Sequence, residues 1–110
     1  MSPDARPRTI EVYQDKNGER PYDNWLRSLK DQVARQSVLI LLNKVRAGNL
    51  GDHHDVGDDV WEFRLRHGPG YRVYYAEIGL RILLLTGGSK KTQNRDIQKA
   101  KAYWRDYRRG

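Results

Sequence analysis

The chain has 110 residues, no cysteine and a formal net charge of +7 from 21 Lys/Arg against 14 Asp/Glu. This length suits one domain with a single core and, without cysteine, excludes a disulfide framework or a thiolate metal site. No apolar run is long enough to cross a bilayer and the N-terminus lacks the apolar centre of a signal peptide, so a cytoplasmic protein with no membrane association is expected.

Residues 1–8, with Pro3 and Pro7, read as a flexible lead-in, and residues 9–110 as the single domain. Residues 9–13 alternate and are rich in β-formers, which predicts a first strand, and Lys16-Asn17-Gly18 marks the turn after it. Pro21 opens a helix at a position where its missing N–H costs nothing, and Tyr22, Trp25, Leu26 and Leu29 share one face of it. Asp31 is placed to cap a second helix, with Ala34, Val38, Leu41 and Val45 as its stripe, Val33, Ile40 and Leu42 widening it, and Gly48 as its terminator. Residues 49–59 are polar and rich in Gly and Asp, and are expected to form a loop.

Three strands follow. Residues 60–66 alternate, with Trp61, Phe63 and Leu65 on one side and Glu62, Arg64 and Arg66 on the other. His67-Gly68-Pro69-Gly70 is a turn. In residues 71–77, Tyr71, Val73 and Tyr75 oppose Arg72, Tyr74 and Ala76. Residues 81–86 are almost all aliphatic, as in a strand buried on both faces, and Gly87-Gly88 ends them. Thr92 is placed to cap a last helix over residues 93–107, with Ile97, Ala100, Trp104 and Tyr107 as its stripe. The order β-αα-βββ-α predicts an α+β fold, a mostly antiparallel twisted sheet flanked by helices.

Charge is unevenly spread. The first sixty residues hold 9 Lys/Arg and 10 Asp/Glu, the last fifty 12 and 4. A one-sided positive field fits a polyanionic partner, or else a solubilising surface. Arg64 and Arg66 share a strand face, and Arg72 joins them if the hairpin register matches. Lys90 and Lys91 leave the next strand close by. Guanidinium groups on a rigid sheet are well shaped for phosphates, and Tyr71, Tyr74 and Tyr75 offer rings for unpaired bases. The same pattern also fits a solvated outer sheet face. Lys91, Arg95 and Lys99 recur every fourth residue and form either an RNA-contacting ridge or a solvent face.

Other chemistries find less support. The run from Gly87 to Thr92 lacks the first glycine of a nucleotide-binding P-loop, because Leu83 stands there, and its Lys-Thr pair comes two residues late. Asp52-His53-His54-Asp55 contains metal-ligand types, but neighbours in a loop rarely converge on one ion. The serines have no nucleophile context.

The strings Val60-Trp61-Glu62-Phe63-Arg64, Gly68-Pro69-Gly70-Tyr71-Arg72-Val73-Tyr74 and Leu83-Leu84-Leu85-Thr86-Gly87-Gly88-Ser89-Lys90-Lys91-Thr92-Gln93, with Asp96-Ile97 and Ala100, resemble the phage-derived Gp49-like, or addiction module killer, family of the RelE/ParE toxin superfamily. The similarity runs from about Ile10 to Tyr107. It implies a RelE/HigB-type toxin of a toxin–antitoxin pair that cuts mRNA on the ribosome, with no metal or organic cofactor and with a helix-turn-helix antitoxin of the HigA type as partner. On this resemblance Arg72 stabilises the scissile phosphate, Arg66 and Lys90 assist, and His67 is a candidate general acid or base, or else a turn residue. Arg64, Tyr71, Tyr74, Lys91, Arg95 and Lys99 are candidate RNA contacts. RelE-type enzymes often place a Tyr or His near the chain end, and Tyr103 and Tyr107 give no clear equivalent. Two other functions remain open: a ParE-like toxin acting on DNA gyrase, and a non-toxic RNA-binding protein of phage origin.

Overall fold

A computed structural model describes residues 6–110. The order is β1 Thr9–Val12, α1 Pro21–Ser28, α2 Gln32–Arg46, β2 His53–Gly57, β3 Val60–Arg64, β4 Tyr71–Ile78, β5 Arg81–Ser89, a 3₁₀ turn Lys90–Thr92, and α3 Gln93–Arg109. The α+β class and the expected succession hold, with one strand more than the sequence suggested. The expected lead-in falls largely on residues 1–5, outside the described residues. Arg8, its last residue, is buried, and its N–H donates to the Arg46 carbonyl at 3.0 Å.

The five strands lie in the order β1-β5-β4-β3-β2, with β1 parallel to β5 and the other pairs antiparallel. The strand missed by sequence, β2, lies within residues 49–59. It forms an edge hairpin with β3 through Asp58 and Asp59, both at positive φ. Its single apolar residue, Val56, left no alternation to read, and a polar edge strand is one that resists pairing with other chains. Gly87 and Gly88 do not end β5, which runs through them to Ser89.

Local chemistry fixes the helices. Pro21 occupies the first turn of α1. The Asp31 carboxylate accepts the Ala34 N–H at 3.2 Å and caps α2. At the other end Gly48, at φ +97°, donates to the Val45 carbonyl while Asn49 donates to Lys44, closing α2 in a Schellman motif.

Two cores form, one on each face of the sheet. Tyr22, Val38, Leu42 and Val45 of α1 and α2 pack on Phe63, Val73, Tyr75, Ile82 and Leu84. Ala100 and Trp104 of α3 pack on Tyr13, Val60, Tyr74, Ala76, Leu83 and Leu85. Residues 82–85 are fully buried, as expected for a strand covered on both sides. Leu41 is only partly buried, and Val33 and Ile40 face outward, so the buried stripe of α2 is narrower than its composition implied.

Candidate nucleic-acid interface

Arg64 and Arg72 are direct partners across β3 and β4, and Glu62 is paired with Tyr74 next to them. Alternation puts all four on the face covered by α3. Glu62 is fully buried, and a buried carboxylate must be paired. Arg64 Nε donates to Glu62 Oε1 at 2.7 Å, Arg72 Nε lies 3.5 Å from Oε2, and the Gln93 side-chain amide approaches both oxygens at 3.2 and 3.4 Å. The carboxylate thus organises two strands and the start of α3. The Arg64 side chain is 39 % exposed and that of Arg72 only 9 %. Arg64 therefore leads out to solvent, whereas Arg72 is held behind it.

The turn before β4 joins this pair to the basic end of the sheet. Its Gly70 carbonyl accepts from Arg72 Nη1 at 2.8 Å and from the Lys90 N–H at 2.9 Å. Gly70 has φ +75°, and a Cβ there would meet both Arg72 Nη1 and Lys90 Cβ within 3.4 Å, so glycine suits the position on both counts. Beyond it, Lys90, Lys91, Thr92, Gln93, Asn94 and Arg95 line an open cleft of about 370 Å³. The 3₁₀ turn is held by reciprocal Ser89 and Thr92 side-chain bonds, and Thr92 Oγ1 donates to Asp96 Oδ2 at 2.5 Å. Asp96 is buried against Gly88, where a Cβ would lie 1.8 Å from its carboxylate. Lys91 of the 3₁₀ turn and Arg95 and Lys99 of α3 are exposed, with Arg95 Nε 3.7 Å from Asp96.

The expected cluster therefore forms only in part. Arg64, Arg72, Lys90, Lys91, Arg95 and Lys99 belong to one end of the α3 face. Arg66 lies past the end of β3; its side chain is 89 % exposed and lies 3.8 Å from Asp52. His67 does not join Arg72. Its Nε2 lies 3.0 Å from Asp31 Oδ2, at the start of α2 and on the opposite side of the sheet. That contact, followed by the Ala34 N–H, holds the Asp31 carboxyl below the usual carboxylate range. Tyr71 packs edge-on to Trp25 of α1, also on the opposite face. Tyr74 shares the face of Arg72 but is fully buried, so it offers no ring to a base. Among the described residues its hydroxyl has no hydrogen-bond partner, and burial, then the Glu62 and Asp96 charges, push it well above the ordinary phenol value.

Tyr103 and Tyr107 also stand apart. Tyr107 comes fourteen residues after Gln93, about 20 Å along the helix. Its hydroxyl donates to Glu11 at 3.1 Å, and Tyr103 stacks on Tyr13 at 5.2 Å. Both fasten the end of α3 to the β1 side of the sheet. The Asp52–Asp55 run is engaged locally: His54 Nε2 lies 2.7 Å from Asp52, His53 Nδ1 lies 2.9 Å from the Gly51 carbonyl, and Asp55 accepts the Gly57 N–H. Among the described residues no three His, Cys, Asp or Glu side chains converge as a metal site, and no helix is long and apolar enough to cross a membrane.

Sequence reasoning placed Glu62 only on the strand side it shares with Arg64. Its spacing of two from Arg64 was the available signal, and Gln93, thirty-one residues away, gave none. Gly88 and Asp96, the pair that seats α3 on β5, are both in the recognised string, yet their contact is a product of the fold.

Comparison with known proteins covers this same framework. A protein of Haemophilus influenzae, itself uncharacterised, is 40 % identical over 81 residues, spanning 73 % of this chain and 82 % of the relative. The family model for phage-derived Gp49-like proteins matches residues 24–105, from α1 almost to the end of α3, and so includes the Glu62–Arg64–Arg72 cluster and the Lys90–Arg95 cleft. On that coverage the chain belongs to the phage-derived Gp49-like family.

Proposed function

We propose that this protein is the toxin of a type II toxin–antitoxin pair and that it cleaves mRNA on the ribosome without a metal ion. The observation that carries the reading is the Arg64–Arg72 pair, fixed by buried Glu62 and opening beside the Lys90–Arg95 cleft. The family match and the RelE-type resemblance of the same strings supply the rest.

The reaction is attack of a 2′-hydroxyl on the adjacent phosphorus to give a 2′,3′-cyclic phosphate as the P–O5′ bond breaks, with the 2′-hydroxyl proton passing to water and the 5′-oxygen taking one from water. The transition state gathers negative charge on the phosphoryl oxygens. Preoriented cations stabilise it without reorganising, and Arg64 and Lys90 have the exposure to reach it. Arg72 acts mainly by fixing this geometry, because its guanidinium is engaged by Glu62 and Gly70. Lys91, Arg95 and Lys99 draw the strand in and set its salt dependence. Glu62 and Asp96 are buried and His67 is turned away, so acceleration by this chain is electrostatic and positional, with the ribosome orienting the strand.

Induced expression followed by mapping of mRNA 5′ ends tests the reading. Growth arrest with discrete new ends is expected, both lost in Lys90→Ala, whose side chain is exposed and whose removal spares the fold. Arrest with intact mRNA overturns it. A second reading, a non-cleaving toxin directed at gyrase or a non-toxic RNA binder on the same fold, is favoured by the burial of Arg72. It expects no new mRNA ends. A helix-turn-helix antitoxin is the partner proposed for either toxin reading.

A further inference from the structure

Among the described residues, three of the four large exposed apolar side chains lie on α2: Val33, Leu39 and Ile40, at 56, 51 and 55 % exposure. The opposite side of the helix is fully committed to the core through Ala34, Val38, Leu42 and Val45. At 100° per residue, the outward side is a neutral strip of Gln32, Gln36 and Asn43, with Leu39 along one edge and Val33 and Ile40 along the other. Beside Leu39 a groove of about 360 Å³ runs between the helices, lined by Leu26, Arg27, Gln32, Arg35, Gln36 and Leu39.

The charge around this strip has one sign. Residues 32–46 contain no Asp or Glu, and Arg35 and Arg46 flank one edge while Lys44 flanks the other. Several cations elsewhere in the fold have a carboxylate within reach, such as Arg20 with Asp23, Arg81 with Glu11 and Lys101 with Asp58. Arg27 and Arg46 bond only to neutral Asn side chains, and among the described residues Arg27, Arg35, Lys44 and Arg46 form no ion pair. The face of α3 is also basic, but no large apolar side chain is exposed between its cations. A nucleic acid fits α3. An uncharged strip edged by Leu39 on one side and Val33 and Ile40 on the other, between cationic rims, fits the apolar face of a protein helix whose flanks are acidic. A second copy of this chain would bring like charges together at the rims.

We propose that the outer face of α2, with the Leu26–Leu39 groove, docks an acidic amphipathic helix of a partner protein. Identifying that partner with the neutralising antitoxin rests on the toxin reading; the surface itself does not. Leu39 and Ile40 supply the anchors, and Arg27, Arg35, Lys44 and Arg46 select the acidic flanks and orient the approach.

Two synthetic amphipathic helices of about 18 residues test this. They share one Leu stripe and carry Glu or Lys on its flanks, and each is titrated into the full chain by calorimetry. The Glu-flanked peptide is expected to bind saturably and the Lys-flanked peptide at least about ten-fold more weakly. Leu39→Glu/Ile40→Glu, at exposed positions that leave melting unchanged, is expected to weaken the Glu-flanked peptide by about ten-fold or more. The milder Leu39→Gln/Ile40→Gln is expected to weaken it less, and Lys91→Glu/Lys99→Glu, on the 3₁₀ turn and α3, not at all. Equal binding of both peptides, no saturable binding, or insensitivity to the α2 substitutions overturns the proposal. So does a concentration-dependent dimer broken by them, or their loss of binding to equimolar phosphatidylglycerol–phosphatidylcholine vesicles. Growth arrest is read separately: its absence in the unaltered chain overturns the toxin reading and leaves the peptide result standing.

Discussion

The two faces of the sheet are built on different physics, and consecutive glycines of β5 show it. Gly87 faces α1, where a Cβ would come within 2.3 Å of the Trp25 ring; Gly88 faces α3, where it would come within 1.8 Å of the Asp96 carboxylate. Under α1 and α2 the contacts are apolar, with Phe63 and Tyr75 stacked at 3.9 Å in their midst. Under the start of α3 lie Glu62, Arg72 and Asp96, all buried. One face is held by volume. The other is held, at this end, by charges that must stay matched, and it is there that the sheet opens to the basic cleft. A site that has to stabilise charge gains from such a frame, because its cations are oriented before any ligand arrives.

The largest expected effect tests the matching directly. Glu62→Leu leaves the Arg72 guanidinium buried without its anion and is expected to cost about 3–5 kcal/mol in urea denaturation. Glu62→Leu/Arg72→Met is expected to recover most of that loss, because a buried pair replaced by apolar groups of similar volume is often neutral. A double variant as unstable as the single one would show that the face is held by shape, like its opposite. Arg64→Ala is expected to cost much less, since its head is already partly in water.

The glycines come next. Gly87→Ala and Gly88→Ala are each expected to cost about 1–3 kcal/mol by overpacking. Their consequences differ. Gly87→Ala must displace the rigid indole of Trp25 and with it α1, so stability falls while RNA affinity at fixed protein concentration is kept. Gly88→Ala displaces Asp96, breaks its bond with Thr92 and shifts the first turn of α3, so RNA affinity falls as well. Equal RNA affinity in the two folded variants would separate the cleft from the frame beneath it.

How far the sequence revealed this contrast depends on what each feature needed. Alternation alone put Arg64, Arg72 and Tyr74 on one side and Phe63, Val73 and Tyr75 on the other, because a strand has period two. It did not reveal which side α3 covers, and that is why Tyr74 was expected at a surface it does not reach. His67 follows Arg66 in sequence, but the turn it opens carries it to Asp31, a partner thirty-six residues away. In β2 the side chains that pair with β3 are His and Asp, so no hydrophobic period marked the strand. Glycine pairs usually punctuate, and here they continue β5 because both neighbouring layers approach too closely for a side chain.

A smaller effect separates the exposed basic edge from the buried charges. Replacing Lys91 or Lys99 by Ala is expected to leave stability within about 0.5 kcal/mol, as for other exposed sites. Each is expected to lower the slope of log affinity for single-stranded RNA against log salt by about 0.7, one phosphate contact on a single strand. Filter binding across a salt series reads this. An unchanged slope in both variants removes Lys91 and Lys99 from the RNA path and leaves Arg64, Lys90 and Arg95 as the proposed basic contacts on this face.

The smallest effect lies at the rim of the apolar face, where Asp31 meets His67. The folded chain holds the Asp31 carboxyl below its ordinary value, first through His67 and then through the Ala34 N–H. Its contribution is therefore complete above the ordinary carboxylate range and is lost as pH falls through the lowered value. Asn remains a good helix cap, so Asp31→Asn keeps the start of α2 and removes only the charge facing His67. The melting difference between the two proteins is expected to shrink as pH falls through the lowered Asp31 value. It is also expected to be smaller in a His67→Gln background, where the first cause of the lowered value is gone. A difference that persists unchanged into acid would show that the cap geometry, not the His67 contact, sets the strength of this corner. The apolar face would then owe nothing to charge even at its edge, and the contrast with the α3 face would be complete.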